Sequence, residues 1–333
     1  MKIFWAATSF ILPSFAVASS YAPCNGHAEL CDRTYNKVSF ACTHNAYSYP
    51  PPIGLPVLNQ ERTIQQQLDD GIRAFMLDVV KPSELSGFWN KVEAWFHYVF
   101  LGKKDTINDV HLCHQSCDLI DKGTLLDTLN TFASFLEAHP REVVTFIIEN
   151  VSGFKPNDLQ PSFAAAGLEK YAYIPEFQPN SQHQNYTWPT LAQLIDKNQR
   201  LVVFIDTNAD PSQVAYILPE WEYVVEIPYA NINPVKEFPC NQDRPRDGVP
   251  RDLLVMNHFV YNRLTIGDEN IDSPIYPSQI KEHGYNSLQS LNTHLHTCKK
   301  AWGDRVMNFV TLDYYDIGNS SIFKLVDQIN GFL

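Results

Sequence analysis

Apolar-rich runs, nearly continuous rather than alternating, recur along the chain at 37–43 (KVSFACT), 72–80, 109–114, 142–149, 200–206, 222–227, 252–259 and 306–315. A strand with one wet face alternates apolar and polar positions, whereas a parallel strand covered on both faces is apolar throughout, so these runs predict buried parallel strands. Stretches with helical spacing lie between them: 63–71 (TIQQQLDDG, closing on Gly71), 124–140 (ending at Pro140), 189–198 and 287–302. Some eight strands interleaved with helices in a chain of this length predict an α/β fold of one domain, a (β/α)8 barrel, made irregular by several long connections. No internal repeat, low-complexity tract or Ser/Gly linker marks a second domain.

The N-terminal stretch changes the bounds of that domain. Residues 1–18 carry one Lys, an apolar run too short to span a bilayer and the small-residue pattern Ala16-Val17-Ala18. They read as a secretory signal peptide, leaving 19–333 as the barrel and an extracellular setting. The formal charge is −12 with no basic cluster, which argues against nucleic-acid partners and against tight docking on anionic lipid. An extracellular hydrolase is the class this composition suggests, and a monomer is expected.

Seven cysteines in an exported chain should be mostly paired, with at least one left over. Cys24 with Cys31 and Cys113 with Cys117 each bracket a short loop, Cys240 with Cys298 would form a long-range bridge, and Cys42, inside the first apolar run, is the candidate free thiol. A zinc site at Cys113 to Cys117 is the weaker reading, because no second Cys/His pair lies nearby in sequence.

In a (β/α)8 barrel the active site lies at the C-terminal ends of the strands. The apolar runs close on His44-Asn45, Asp78, His114, Glu149-Asn150, Asp206, His258 and Asp313. Any one of these is an ordinary capping or loop residue. A ring of histidines and carboxylates at one end of a barrel is what acid–base chemistry beside a cation requires.

The segments THNAY (43–47), NQERTIQQQLDDGIRAFMLDV (59–79), DVHLCHQSC (109–117) and EVVTFIIEN (142–150) resemble the X-domain of phosphatidylinositol-specific phospholipase C, and more closely its secreted fungal and plant relatives. The resemblance runs in order from about Cys24 to Asp313 and implies a distorted TIM-type barrel. It gives His44 the role of general base on the inositol 2-hydroxyl, His114 that of general acid on the leaving glycerol oxygen, and Asp313 that of the carboxylate holding His44. The substrate implied is a phosphodiester of the phosphatidylinositol or glycosylphosphatidylinositol type, met in transient contact with a membrane surface.

Charge on the phosphate must also be offset. Metal-independent relatives use an Arg where this chain has Val80. Calcium-dependent ones use an Asn after the base, a Glu-x-Asp and a later Glu; here Asn45, Asp78 and Glu149 match, and Met76 replaces the first Glu. Three oxygen ligands imply a weakened Ca2+ or Mg2+ site. Two other functions compete: a barrel that binds but no longer catalyses, and a glycosidase using Glu149 with Glu226 or Asp313, which leaves both histidines unexplained. Arg73 is expected to make an ion pair in the barrel floor, and His111 to be structural. His258 and Asp206 are placed at the pocket without a role. The aromatic stretch from Trp89 to Phe100 is either a membrane-contacting segment or an ordinary packed helix. Of the sequons, Asn185 and Asn319 read as exposed and Asn150 as a poor glycan site.

Overall fold

The computed structural model describes residues 22–50, 58–82, 110–113, 117, 121–176, 186–266 and 269–333. In chain order the elements are β1 (Phe40–Thr43), α1 (Ile64–Asp70), β2 (Ala74–Val80), β3 (His111–Cys113), β4 (Asp121–Thr124), α2 (Leu125–Ala138), β5 (Val144–Asn150), α3 (Pro156–Ala165), α4 (Leu191–Asp196), β6 (Leu201–Ile205), β7 (Ile217–Pro219), α5 (Glu220–Tyr223), β8 (Val224–Glu226), β9 (Leu253–Asn257), β10 (Tyr261–Ile266), β11 (Glu269–Pro274), α6 (Pro277–His283), α7 (Leu288–Trp302), β12 (Phe309–Leu312) and α8 (Ser321–Asn330). β1, β2, β5, β6 and β7 pair in parallel in that order, and β12, β9 and β8 continue the sheet from the other side of β1. The result is a single-domain, mostly parallel barrel of eight strands. Among the described residues no ladder joins β7 to β8, so the curl stays open there.

Four helices form where the spacing predicts them, and their caps explain the ends. Thr63 and Gln66 make a reciprocal capping box at the start of α1, and Gly71 ends it at φ 108°, a left-handed conformation that costs glycine nothing. Thr124 and Ser287 cap α2 and α7 by accepting from the backbone three residues on.

One expected stave is not a stave. The run 109–114 supplies β3, which is antiparallel to β2 (Val80 opposite His111) and then to β4, forming a flap on the barrel. The eighth barrel strand is β7, whose three residues are too few to register as an apolar run. β3 looks like a stave in sequence because Val110 and Leu112 are buried in the same core as the barrel's outer face.

Three disulfides join Cys24 to Cys31, Cys113 to Cys117 and Cys240 to Cys298, and Cys42 is a free, buried thiol, pushed up to about 12 by burial. The zinc reading of Cys113 and Cys117 falls with their bridge, since a disulfide offers no thiolate. At the strand entries Arg73 bonds Glu142 at 2.6 Å and the carbonyls of Leu68 and Ile72, pinning β2 to the turn before β5. Among the described residues no helix is long and apolar enough to cross a membrane.

Candidate active site

Side chains of a strand alternate between its two faces, and that period places the site. On β1 Phe40 and Cys42 face the barrel interior, as do Met76 on β2, Ile147 on β5, Phe204 on β6, Val255 on β9 and Phe309 on β12, all in one buried cluster. Their alternates, such as Ala41, Phe75, Phe146 and Met256, belong to the cluster that also holds the helix residues Leu129 and Phe132. Continuing the interior face past the end of each apolar run brings in His44, Asp78, Glu149, Asp206, Glu226 and Asn257, which line one cavity of about 370 Å3. The same step on β12 brings in Asp313 against His44.

His44 is held on four sides. Asn45, at φ 44°, turns the chain sharply after β1, a conformation that asparagine tolerates better than most residues. Gln60 donates its amide to the carbonyls of His44 (2.8 Å) and Leu312 (3.0 Å), tying the ends of β1 and β12 together. The imidazole lies flat on Phe259, with centroids 3.9 Å apart and planes 4° from parallel. Its Nδ1 lies 2.9 Å from Asp313 Oδ1, which also accepts from the Asn59 amide at 3.1 Å. A carboxylate can only accept, so Nδ1 carries the hydrogen and Nε2 is the free base, with the Tyr261 hydroxyl 3.4 Å away.

Burial is the largest influence on His44 and pulls its pKa down; the charge and hydrogen bond of Asp313, with the charges of Asp78 and Glu149, outweigh it and hold the ring above its ordinary value. Asp78 accepts from the Tyr47 hydroxyl at 2.8 Å. It pairs in register with Glu149 on β5. Glu149 keeps an exposed edge at the cavity mouth, yet protein walls it in on the other sides. That burial, and then Asp78, push its carboxyl up to about 7.

Five of the six residues given a role from the sequence therefore meet at one mouth: His44, Asn45, Asp78, Glu149 and Asp313. His114 lies outside the described residues, as do Asn185 and the stretch 89–100. His258 does not line the cavity; it is wholly buried and bonded to His294. His111 pairs with Asp121 on the flap, and Asp206 lines the cavity wall while accepting from the Asn150 backbone. The Asn150 side chain is buried in bonds to Phe154, whereas Asn319 is exposed.

Sequence reasoning missed Arg244, the one Lys or Arg among the described lining residues. Its guanidinium bonds Glu226 at 2.6 and 3.1 Å and lies over the rings of Tyr229 (4.4 Å) and Trp221 (5.3 Å). Arg244 sits in a Pro-rich loop with no periodicity to place it. Glu226, so engaged and buried, is removed as the free second carboxylate a glycosidase would need.

With this geometry in hand, comparisons with known proteins fall in one place. A family model described as PI-PLC X 1 matches residues 98–328, a stretch that includes Glu149 and Asp313; His44, Asn45 and Asp78 precede it. The PI-PLC X domain-containing protein 1 of Arthroderma benhamiae is 31% identical over 319 residues, covering 92% of this chain and 89% of that one. An uncharacterized secreted protein of the same fungus is 29% identical over 92% of this chain, which spans 64% of that protein's length. In fold, the phosphatidylinositol-specific phospholipase C from Listeria monocytogenes superposes with a TM-score of 0.53 at 13% identity, over 95% of this chain and 98% of that one. The chain belongs to the PI-PLC X family.

Proposed function

We propose that the protein is a secreted phosphodiesterase that cleaves a phosphatidylinositol-type or glycosylphosphatidylinositol-type phosphodiester in phospholipase C fashion. The observation that carries this reading is the buried His44–Asp313 pair, with Nδ1 committed to the carboxylate and Nε2 left as a base at the cavity. His44 Nε2 takes the proton of the substrate hydroxyl as its oxygen attacks phosphorus, and Asp313 stabilises the imidazolium that forms. Phe259 fixes the plane of the ring, so the lone pair is aimed before substrate arrives. His114 is assigned as the acid that protonates the leaving alkoxide.

Asn45, Asp78 and Glu149 offer oxygen donors along one wall of the cavity. Burial first, and then the charge of Asp78, push the Glu149 carboxyl up; a divalent cation would offset both, so the donor set fits a hard ion such as Ca2+ or Mg2+. Met76, in the cavity lining, contributes no charge, which makes that hold weak. When bound, the cation would offset the charge on the phosphate oxygens. Among the described lining residues Arg244 is the other cation, and its pairing with Glu226 leaves it less charge to spend on phosphate.

A substrate panel tests the reading. Purified protein is incubated with phosphatidylinositol vesicles, a glycosylphosphatidylinositol-anchored protein and glycerophosphodiesters, with and without EDTA. Release of diacylglycerol or of the anchored protein is the expected result. A chain that binds these substrates and turns over none would be a barrel that has lost its chemistry.

A further inference from the structure

The cavity does not end at its own far wall. An open groove of about 510 Å3 adjoins it, lined by Asp206, Trp221, Tyr229, Asp243, Arg244 and Arg246 among others. Asp206, Trp221, Tyr229 and Arg244 line the cavity as well, so the two spaces share a wall. That wall stands past the ends of β6 and β8, and β8 is the fourth strand from β2 counted either way round the barrel. The flap grows from β2, so the groove lies across the mouth from the flap. In an in-line displacement the attacking and leaving oxygens take opposite sides of phosphorus. With the leaving group on the flap side, the headgroup that carries the attacking hydroxyl reaches toward the shared wall, and whatever is attached to that headgroup enters the groove.

The shared wall has both donors and acceptors to offer. Arg244 gives Nε and Nη2 to Glu226, while its Nη1 donates to none of the described residues and its side chain is 34% exposed. Asp206 accepts through Oδ1 only, from the Asn150 backbone and the Thr207 hydroxyl. Glu220 Oε1 and Asn257 Oδ1, on buried residues of the cavity lining, accept from none of the described residues. An anion would meet the acceptors and a cation the guanidinium, whereas hydroxyl groups both donate and accept and so satisfy the whole set. Burial, and then the charge of Glu226, push the Glu220 carboxyl well above its ordinary range, which leaves a neutral acid suited to a hydroxyl and not to a metal ion. Two aromatic rings complete the groove. Arg244 lies over both Trp221 and Tyr229 and fixes their orientation, and Tyr229 is exposed. A pyranose ring has C–H bonds on its faces and hydroxyls on its edge. The slightly positive C–H face packs on the negative face of an aromatic ring while the edge bonds to carboxylates and guanidinium.

We propose that this groove is a carbohydrate subsite, and that the preferred substrate is a phosphodiester whose inositol headgroup carries a sugar. The sugar ring stacks on Trp221 and Tyr229, and its hydroxyls bond Asp206, Asp243 and Arg244. The placement of the headgroup rests on the phosphodiesterase reading, which the subsite narrows from phosphatidylinositol in general to its glycosylated forms. Binding the sugar at a distance from phosphorus also holds the attacking hydroxyl at His44, so the groove contributes to orientation as well as to affinity.

The test compares phosphatidylinositol with glucosaminyl-phosphatidylinositol of the same acyl chains in the same mixed micelles. The glycosylated lipid should be turned over with kcat/KM at least about tenfold higher, as one stacked ring and one or two hydrogen bonds allow. Trp221→Ala, Tyr229→Ala and Asp243→Ala should each shrink that ratio toward one, and a ratio cancels any general loss of fold or activity. Equal rates on the two lipids, or a ratio that all three variants leave intact, overturn the subsite. If neither lipid is turned over, the phosphodiesterase reading fails by itself and binding decides the groove. Calorimetry should then show glucosaminyl-inositol bound at least about tenfold more tightly than myo-inositol, with saturation-transfer NMR strongest at the sugar-ring protons. Equal affinities for those two ligands overturn the proposal. So does methyl glucosaminide bound as tightly as glucosaminyl-inositol, which would make the groove a site for free sugar unconnected to the headgroup.

Discussion

Replacing Asp313 with Asn removes one charge from the base while keeping its shape. Asp313 is 1% exposed and its Oδ1 lies 2.9 Å from His44 Nδ1, so little solvent screens the pair. Two charges about 4 Å apart at an effective dielectric of ~20 interact by about 4 kcal/mol, and a hydrogen bond to a charged group is worth about 1.5–3 kcal/mol. These two figures describe overlapping parts of one interaction, so about 2–4 kcal/mol of imidazolium stabilisation is at stake in the transition state. At 1.36 kcal/mol per tenfold, kcat/KM falls by about 30- to 1,000-fold at its pH plateau. The amide can also turn its NH2 toward Nδ1, driving the ring hydrogen to Nε2 and blocking the base. The pH profile supplies the sign. His44 must be neutral to act and its pKa is held above 6.5, so the wild-type acid limb lies above that value. In Asp313→Asn burial is no longer opposed by its main counterweight, and the limb moves to lower pH. Initial rates on phosphatidylinositol in mixed micelles across the pH range, with circular dichroism to show the fold is kept, measure both effects. A wild-type plateau, or a limb that moves to higher pH, refutes the reasoning.

His114→Ala should reduce turnover by ~10²- to 10⁴-fold without loss of secondary structure, with the deficit smaller for a substrate whose leaving group needs no proton, such as a nitrophenyl phosphodiester. Chelation with EDTA should abolish turnover, excess Ca2+ or Mg2+ should restore it, and Met76→Glu should lower the metal concentration needed; full activity in chelator would reassign the phosphate's partner to a protein cation. Gly318→Ala should lower stability by at least about 1–3 kcal/mol, read from the denaturation midpoint. Gly318 adopts φ 99°, and a Cβ there would stand 2.2 Å from the carbonyl oxygen of Asn286. The Asn286 side chain in turn bonds the carbonyls of Asp313 and Tyr314, so the loop behind the base would be displaced with it.

Much of the barrel could be read because burial on both faces leaves a plain trace. Runs such as 143–148, apolar but for Thr145, and 201–205, apolar throughout, each stop where the strand reaches the cavity and its interior-facing position turns polar. That single rule locates His44, Asp78, Glu149, Asp206 and Asp313. It misplaces His258, because Asn257, one residue earlier, holds the interior position on β9 and the histidine ring therefore turns outward to His294. It admits β3, since a flap buried against the barrel is as apolar as a stave, and it overlooks β7, which is three residues long. Arg244, Phe259 and Tyr261 were illegible for another reason. They reach the site from segments beyond the strand ends, where position depends on how a loop folds back and no periodicity constrains it.

In the proposed reaction His44 activates an alcohol of the substrate itself against phosphorus. Phosphorus-31 NMR of phosphatidylinositol vesicles during turnover tests it most directly, because attack by a neighbouring hydroxyl yields a five-membered cyclic phosphate with its own distinct resonance. This signal should appear first with the wild-type protein, decay to the acyclic monoester only later, and be absent with His44→Ala. A monoester formed with no cyclic precursor, or a cyclic signal that persists at the wild-type rate in His44→Ala, would contradict it.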